Sequence, residues 1–231
     1  MEDTFNDQAR DLYSRLMGEI KCRIDDIHEV GTMEGSLCPM TRIEFAAIQF
    51  RQIFETIAWA CMVANGQPLE PELLKRRHER NPRFLFKYLA ETVMADCYPT
   101  PLVMVGDDSA AGVLDEDGDS VGALVELAED QWLTRPELVR LHGELSKLLH
   151  IRNPMRGEPL HAADYEKMIP VWWEKTVCLV ALHRIALPGD DMCIVRILED
   201  GQVIIEDFYK VKSLDEDSDL LVSLRRTERF S

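Results

Sequence analysis

The chain has no Cys-x-x-Cys pair, no HExxH, no glycine-rich phosphate loop and no histidine and cysteine spacing suited to zinc. Metal-dependent and nucleotide-hydrolysing enzymes are therefore disfavoured, and no cofactor or metal is expected. It also lacks an uncharged apolar run of membrane-spanning length: the best stretch, residues 43–64, is interrupted by Glu44, Arg51 and Glu55. The first ten residues, MEDTFNDQAR, are acidic and contain no apolar segment, so neither a signal peptide nor a membrane partner is expected. Cys22, Cys38, Cys61, Cys97, Cys178 and Cys193 are scattered, which reads as free thiols in a reducing compartment and gives an expected cytoplasmic location.

Basic residues are scarce. Lys and Arg number 26 against 42 Asp and Glu, and the net charge of -16 excludes a wholly basic nucleic-acid binder. The acid is uneven, concentrated at 107–130 and 190–219, whereas 75–87 is strongly basic and leaves room for a local anion-binding patch. With 231 residues, 46% hydrophobic and 29% charged, the chain can bury a continuous core.

Apolar residues recur at three- and four-residue steps from Phe5 through Leu12, Leu16, Ile20 and Ile24 to Ile27, which predicts an amphipathic first helix. Thr41 and Glu44 have capping-box spacing and place the start of a second helix. That helix is apolar on most sides and ends at Asn65-Gly66, as expected of a central helix. On it Arg51 and Glu55 stand four apart, where pairing makes their burial tolerable; a structural role is favoured over a catalytic one. Pro71 opens a short basic helix that Asn81-Pro82 ends, and 84–94 adds a further turn or two. Residues 102–105 are extended, 106–121 form an acidic loop, and Thr134 to Glu137 starts a helix that runs to about His150. A last helix over 162–186 is kinked or restarted at Pro170. Residues 192–198 and 202–211 are rich in β-branched side chains and flank Asp200-Gly201, a strong hairpin signal.

The resulting expectation is a mainly α protein, a bundle of five or six main helices closed by a C-terminal two-stranded β-hairpin. Residues 1–212 form one domain, containing the hairpin (192–211) and the acidic loop (106–121), and 213–231 form a charged tail.

Lys75, Arg76, Arg77, Arg80, Arg83 and Lys87, interleaved with Phe84, Phe86 and Tyr88, have the residue types for phosphate contact and base stacking, so RNA is a candidate ligand of this run. An exposed charged helix face set against the chain's own carboxylates explains the same residues. Asp115, Asp117, Asp119 and Glu126 occupy four calcium-ligand positions of an EF-hand loop, but Ser120 stands where glycine is required. A solvated acidic loop is the stronger reading.

The segment from Ser146 to Pro154, SKLLHIRNP, together with Asn81-Pro82 and Tyr98-Pro99, resembles a group of uncharacterised bacterial helical proteins. More distantly, the helical part is similar to the HEPN superfamily, whose members include toxin and antiviral ribonucleases. The first resemblance covers most of the chain and implies no activity. It favours His150, Arg152 and Asn153 as catalytic candidates at a helix end, although His150 as a helix cap explains that position more simply. The second implies an RNA-directed ribonuclease or toxin, in bacterial defence, that uses an arginine and a histidine four to six residues apart. There histidine moves the 2′-hydroxyl proton and arginine stabilises charge on phosphorus. Arg23 and His28, Arg135 and His142, and Arg156 and His161 all have that spacing, and since chance alone supplies roughly one or two such pairs the three decide little. The leading expectation is instead a noncatalytic interaction or regulatory protein with a protein partner, homodimerisation being compatible with the chain.

Overall fold

The structure, a computed structural model, describes residues 5–33, 37–66, 81–92, 97–105, 113–114, 120–149, 162–187, 192–210 and 222–225. Five helices account for most of the described regular structure: α1 (Asp7–Thr32), α2 (Pro39–Ala64), α3 (Pro82–Thr92), α4 (Arg135–Leu149) and α5 (Ala162–Val180). Strands β1 (Thr100–Val105), β2 (Val113–Leu114), β3 (Ser120–Glu126), β4 (Leu182–Ala186), β5 (Met192–Ile197), β6 (Val203–Lys210) and β7 (Val222–Arg225) form one antiparallel sheet in the order β2-β3-β1-β4-β5-β6-β7.

The mainly helical reading holds, and so does the hairpin. Ile197 pairs with Val203 across the Asp200-Gly201 turn. Gly201 has φ +87°, which only glycine adopts without steric cost, and the Gln202 amide donates to Asp200 Oδ1 at 2.9 Å. The two-stranded limit is corrected: the hairpin supplies the fifth and sixth strands of a seven-stranded sheet. Residues 182–186, expected as the end of a helix, are β4, because burial there alternates, with His183 and Ile185 inward. The loop expected over 106–121 includes β2 and the first residues of β3, and β7 lies in the segment expected to be a charged tail.

Helix starts differ in detail. Asn6 caps α1, its Oδ1 accepting from the Ala9 amide at 3.1 Å. Helix α2 begins at Pro39 rather than Thr41, since proline is preorganised for a first helical turn, and Cys38 takes the cap position without a side-chain bond to the backbone. The Thr134 carbonyl accepts from the Leu138 amide at 2.8 Å, as expected at the start of α4. Asn81-Pro82 opens α3, where Asn81 Oδ1 accepts from the Arg83 amide at 3.0 Å, and the short helix expected from Pro71 lies outside the described residues. Helix α5 passes through Pro170 without restarting.

Helix α2 is the centre of the fold and touches each of the other four helices. Phe50, Ile53, Phe54 and Ile57 are fully buried on it, which explains why its sequence is apolar on nearly every side. Helices α1 and α5 pack on one face of the sheet around β4, β5 and β6. Ile185, Cys193 and Val195 join the helical core there, whereas Leu102 and Ile194 form a separate apolar cluster on the opposite face.

Candidate functional site

Three polar groupings carry enough chemistry to weigh. The first lies between α2 and α4. Arg51 and Glu55, one helical turn apart, approach at 3.5 Å, and Glu55 Oε1 also lies 3.1 Å from His142 Nε2 on α4. A carboxylate only accepts, so the proton of this bond sits on Nε2. Glu55 thereby orients the ring, and Nδ1 is the nitrogen left to exchange a proton, the orientation that a carboxylate imposes on a general base. The His142 side chain is 6% exposed, against 33% for Arg51. Arg51 Nε is buried without an acceptor, so the guanidinium is only partly satisfied. The expected Arg51–Glu55 pair is thus present, with a third member that the sequence reading missed.

The second grouping joins α1 to the sheet. Arg10 pairs with Asp207 on β6, and the Cys193 thiol on β5 donates to the same carboxylate oxygen at 3.0 Å. Burial, reinforced by Asp207, pushes the Cys193 thiol pKa up, so the sulfur stays protonated and unreactive. Deeper in, His183 Nδ1 lies 2.9 Å from the Val180 carbonyl and Nε2 lies 2.9 Å from the Tyr13 hydroxyl. The carbonyl requires the proton on Nδ1, so Nε2 accepts from Tyr13. Burial lowers the His183 pKa to about 4 and raises that of Tyr13 well above its ordinary value, and the pair is neutral near pH 7. These bonds hold α1 on the sheet and present nothing to a ligand.

The third grouping is the outward face of α3. Phe84 is 55% exposed and Tyr88, one turn on, 37% exposed. Arg83 and Lys87 flank them, and Lys87 pairs weakly with Glu91 at 3.7 Å. Phe86 points the other way: it is buried with its ring against Tyr98, so only two of the three interleaved aromatics belong to a surface.

Of the basic run, Arg83 and Lys87 lie on this face, while Lys75, Arg76, Arg77 and Arg80 lie outside the described residues, as do His150, Arg152, Asn153, Arg156 and His161. The structure separates the remaining spaced pairs by role. Arg23 donates to Glu19 and Gln49, and His28 stacks on Trp173 with ring centres 5.4 Å apart. His142 is buried and its Nε2 is turned toward Glu55. Glu126, the last of the calcium-spaced residues, lies on β3 and pairs with Arg184; Asp115, Asp117 and Asp119 lie outside the described residues.

Among the described residues, no group of three or more His, Cys, Asp or Glu side chains is placed to hold a metal ion, and no helix is long and apolar enough to cross a membrane. Comparison with protein-family models, curated proteins and solved structures gives no match.

Proposed function

We propose that the chain is a noncatalytic interaction protein that grips a protein partner with the outward face of α3. The observation behind this reading is Phe84, 55% exposed, with the partly exposed Tyr88 one turn on, on a helix whose other side, through Leu85, Phe86 and Leu89, is firmly buried. Aromatic side chains with a neighbouring arginine are the residue types that dominate binding energy at protein interfaces. The helix is anchored by its buried side, so little ordering cost falls on the exposed one. Arg83 and Lys87 favour a partner segment that mixes apolar and acidic residues, while the net charge of -16 opposes a polyanion.

The test is a photo-crosslinking amino acid in place of Phe84 in cells producing the chain. A discrete protein adduct that survives nuclease treatment is expected, reduced about tenfold when Tyr88→Ala is added, the loss expected of a modest interface anchor. Adducts that vanish with nuclease would transfer the face to RNA, and no adduct would remove it as an interface.

A second reading, a HEPN-type ribonuclease, draws support from the Glu55–His142 dyad, which has the connectivity of an oriented base. It requires Nδ1 of a side chain only 6% exposed to reach a 2′-hydroxyl. That requirement places it behind the interaction reading.

A further inference from the structure

The exposed side of α3 carries its side chains in two rows. Arg83, Lys87 and Glu91 stand four apart in one, Phe84 and Tyr88 in the next, each step rising about 6 Å along the axis. Such rows are the ridges of a helix surface, and a groove runs between neighbouring ones. Phe84 is 55% exposed, and the Lys87 and Glu91 side chains are 70% and 63% exposed, so both rows reach water within the single chain. The Lys87–Glu91 contact, at 3.7 Å between exposed groups, exchanges for another partner at little cost. The first amides of the helix are already engaged: Asn81 accepts from Arg83 through Oδ1 and from Phe84 and Leu85 through its carbonyl. What α3 offers a partner is therefore side chains and no backbone donor at its start.

We propose that the partner of this face is itself an α-helix, amphipathic and acidic, laid along the groove between the two rows; the inference rests on the α3 interface reading. An extended segment lying there would leave its own amides and carbonyls against aromatic side chains, because a helix bonds its backbone internally and has no edge to pair with. A helical partner has its backbone satisfied beforehand, and one of its own ridges fits the groove. Charge sets composition and direction. Two acidic residues four apart on the partner meet Arg83 and Lys87, a basic residue one turn further meets Glu91, and the neighbouring apolar row meets Phe84 and Tyr88. A chain of net charge -16 repels an acidic helix over most of its surface, which steers that helix to the end of α3 where Arg83 and Lys87 stand.

The probe is a fluorescein-labelled, alanine-based peptide of about 18 residues, long enough to be helical in water, with glutamates four apart in one row and leucines four apart in the next. Titrated with the full chain and followed by anisotropy, it is expected to bind with a Kd on the order of 10–100 µM, as suits a contact smaller than a standard interface. Two central prolines, which break the peptide helix, are expected to weaken binding at least about tenfold, as is Phe84→Ala in the chain. Arg83→Glu/Lys87→Glu, at exposed positions, is expected to weaken the glutamate peptide about tenfold and strengthen a lysine-for-glutamate peptide by a similar factor, with the circular dichroism spectrum unchanged. Equal binding of the proline peptide overturns the proposal, and so does a charge reversal that alters neither peptide's binding. If the helical peptide fails to bind while the Phe84 crosslink still gives a nuclease-resistant protein adduct, the helical partner is wrong and the interaction reading stands. Failure of both overturns both. A single-stranded RNA of about 20 nucleotides that binds the same face more tightly than the peptide overturns the proposal in favour of RNA.

Discussion

Replacing Asp207 with alanine is expected to lower the unfolding free energy by about 3 kcal/mol, the cost of leaving one member of a largely buried ion pair without its counter-charge. Arg10 and Asp207 are 20% and 10% exposed at their side chains, so water makes up little of the loss. The same substitution removes the acceptor of the Cys193 thiol, leaving a second buried donor unpaired. Urea unfolding measures the effect. An unchanged slope with an earlier midpoint identifies a loss of native contacts rather than a change in the unfolded chain. Removing both charges, in Arg10→Met/Asp207→Leu, is expected to restore much of the stability because no uncompensated ion remains. A loss below about 1 kcal/mol in Asp207→Ala would show that the pair behaves like an exposed one and does not hold α1 on the sheet.

The second large effect is a dependence on pH through His183. In the folded chain its pKa is about 4 because burial penalises the charged ring, while an unfolded histidine titrates near its ordinary value of 6.5. Between those values the unfolded state holds the extra proton. Stability therefore rises with pH across the window, is fully present above about 6.5, and falls as the pH drops toward 4. The contribution is on the order of 3 kcal/mol over the whole window. Tyr13 on α1 faces the ring and stays protonated throughout, because burial raises its pKa well above the ordinary value. Carboxylates elsewhere also titrate in acid, so the informative quantity is the difference between the wild-type chain and His183→Gln. Unfolding free energies measured from pH 7 to pH 4 are expected to fall more steeply for the wild type. Parallel curves would mean that His183 does not titrate on unfolding.

The parts of the fold legible in the residues were those whose signal is local. The three- and four-residue spacing of α1, the apolar run of α2 and the Asp200-Gly201 turn each lie within one stretch of chain. The extended character of 102–105 was also legible, as part of β1, but the pairing of the hairpin with the other strands was not, because those strands are short and find partners far away. Strand β1 contains Pro101 and pairs with β4, whose His183 and Arg184 break an apolar run, and β3 contains Gly122 and begins in a segment that reads as an acidic loop. Cross-strand pairing depends on tertiary context that no window of sequence contains.

The candidate sites divide in the same way. The basic and aromatic character of α3 was visible in its residues, and helix geometry then decided which aromatics face water. Phe84 and Tyr88 share a side, whereas Phe86 is turned to the core. The contacts of Glu55 with His142 and of Tyr13 with His183 join residues 87 and 170 positions apart, and only the fold brings them together.

The most direct test of a noncatalytic role is incubation of the purified chain with mixed RNA, with and without a chelator, beside the single replacements His28→Ala, His142→Ala, His150→Ala and His161→Ala. The expected result is intact RNA in every reaction. Chelator-resistant cleavage by the wild-type chain that disappears in one of the four variants would contradict it and make that histidine part of an active site.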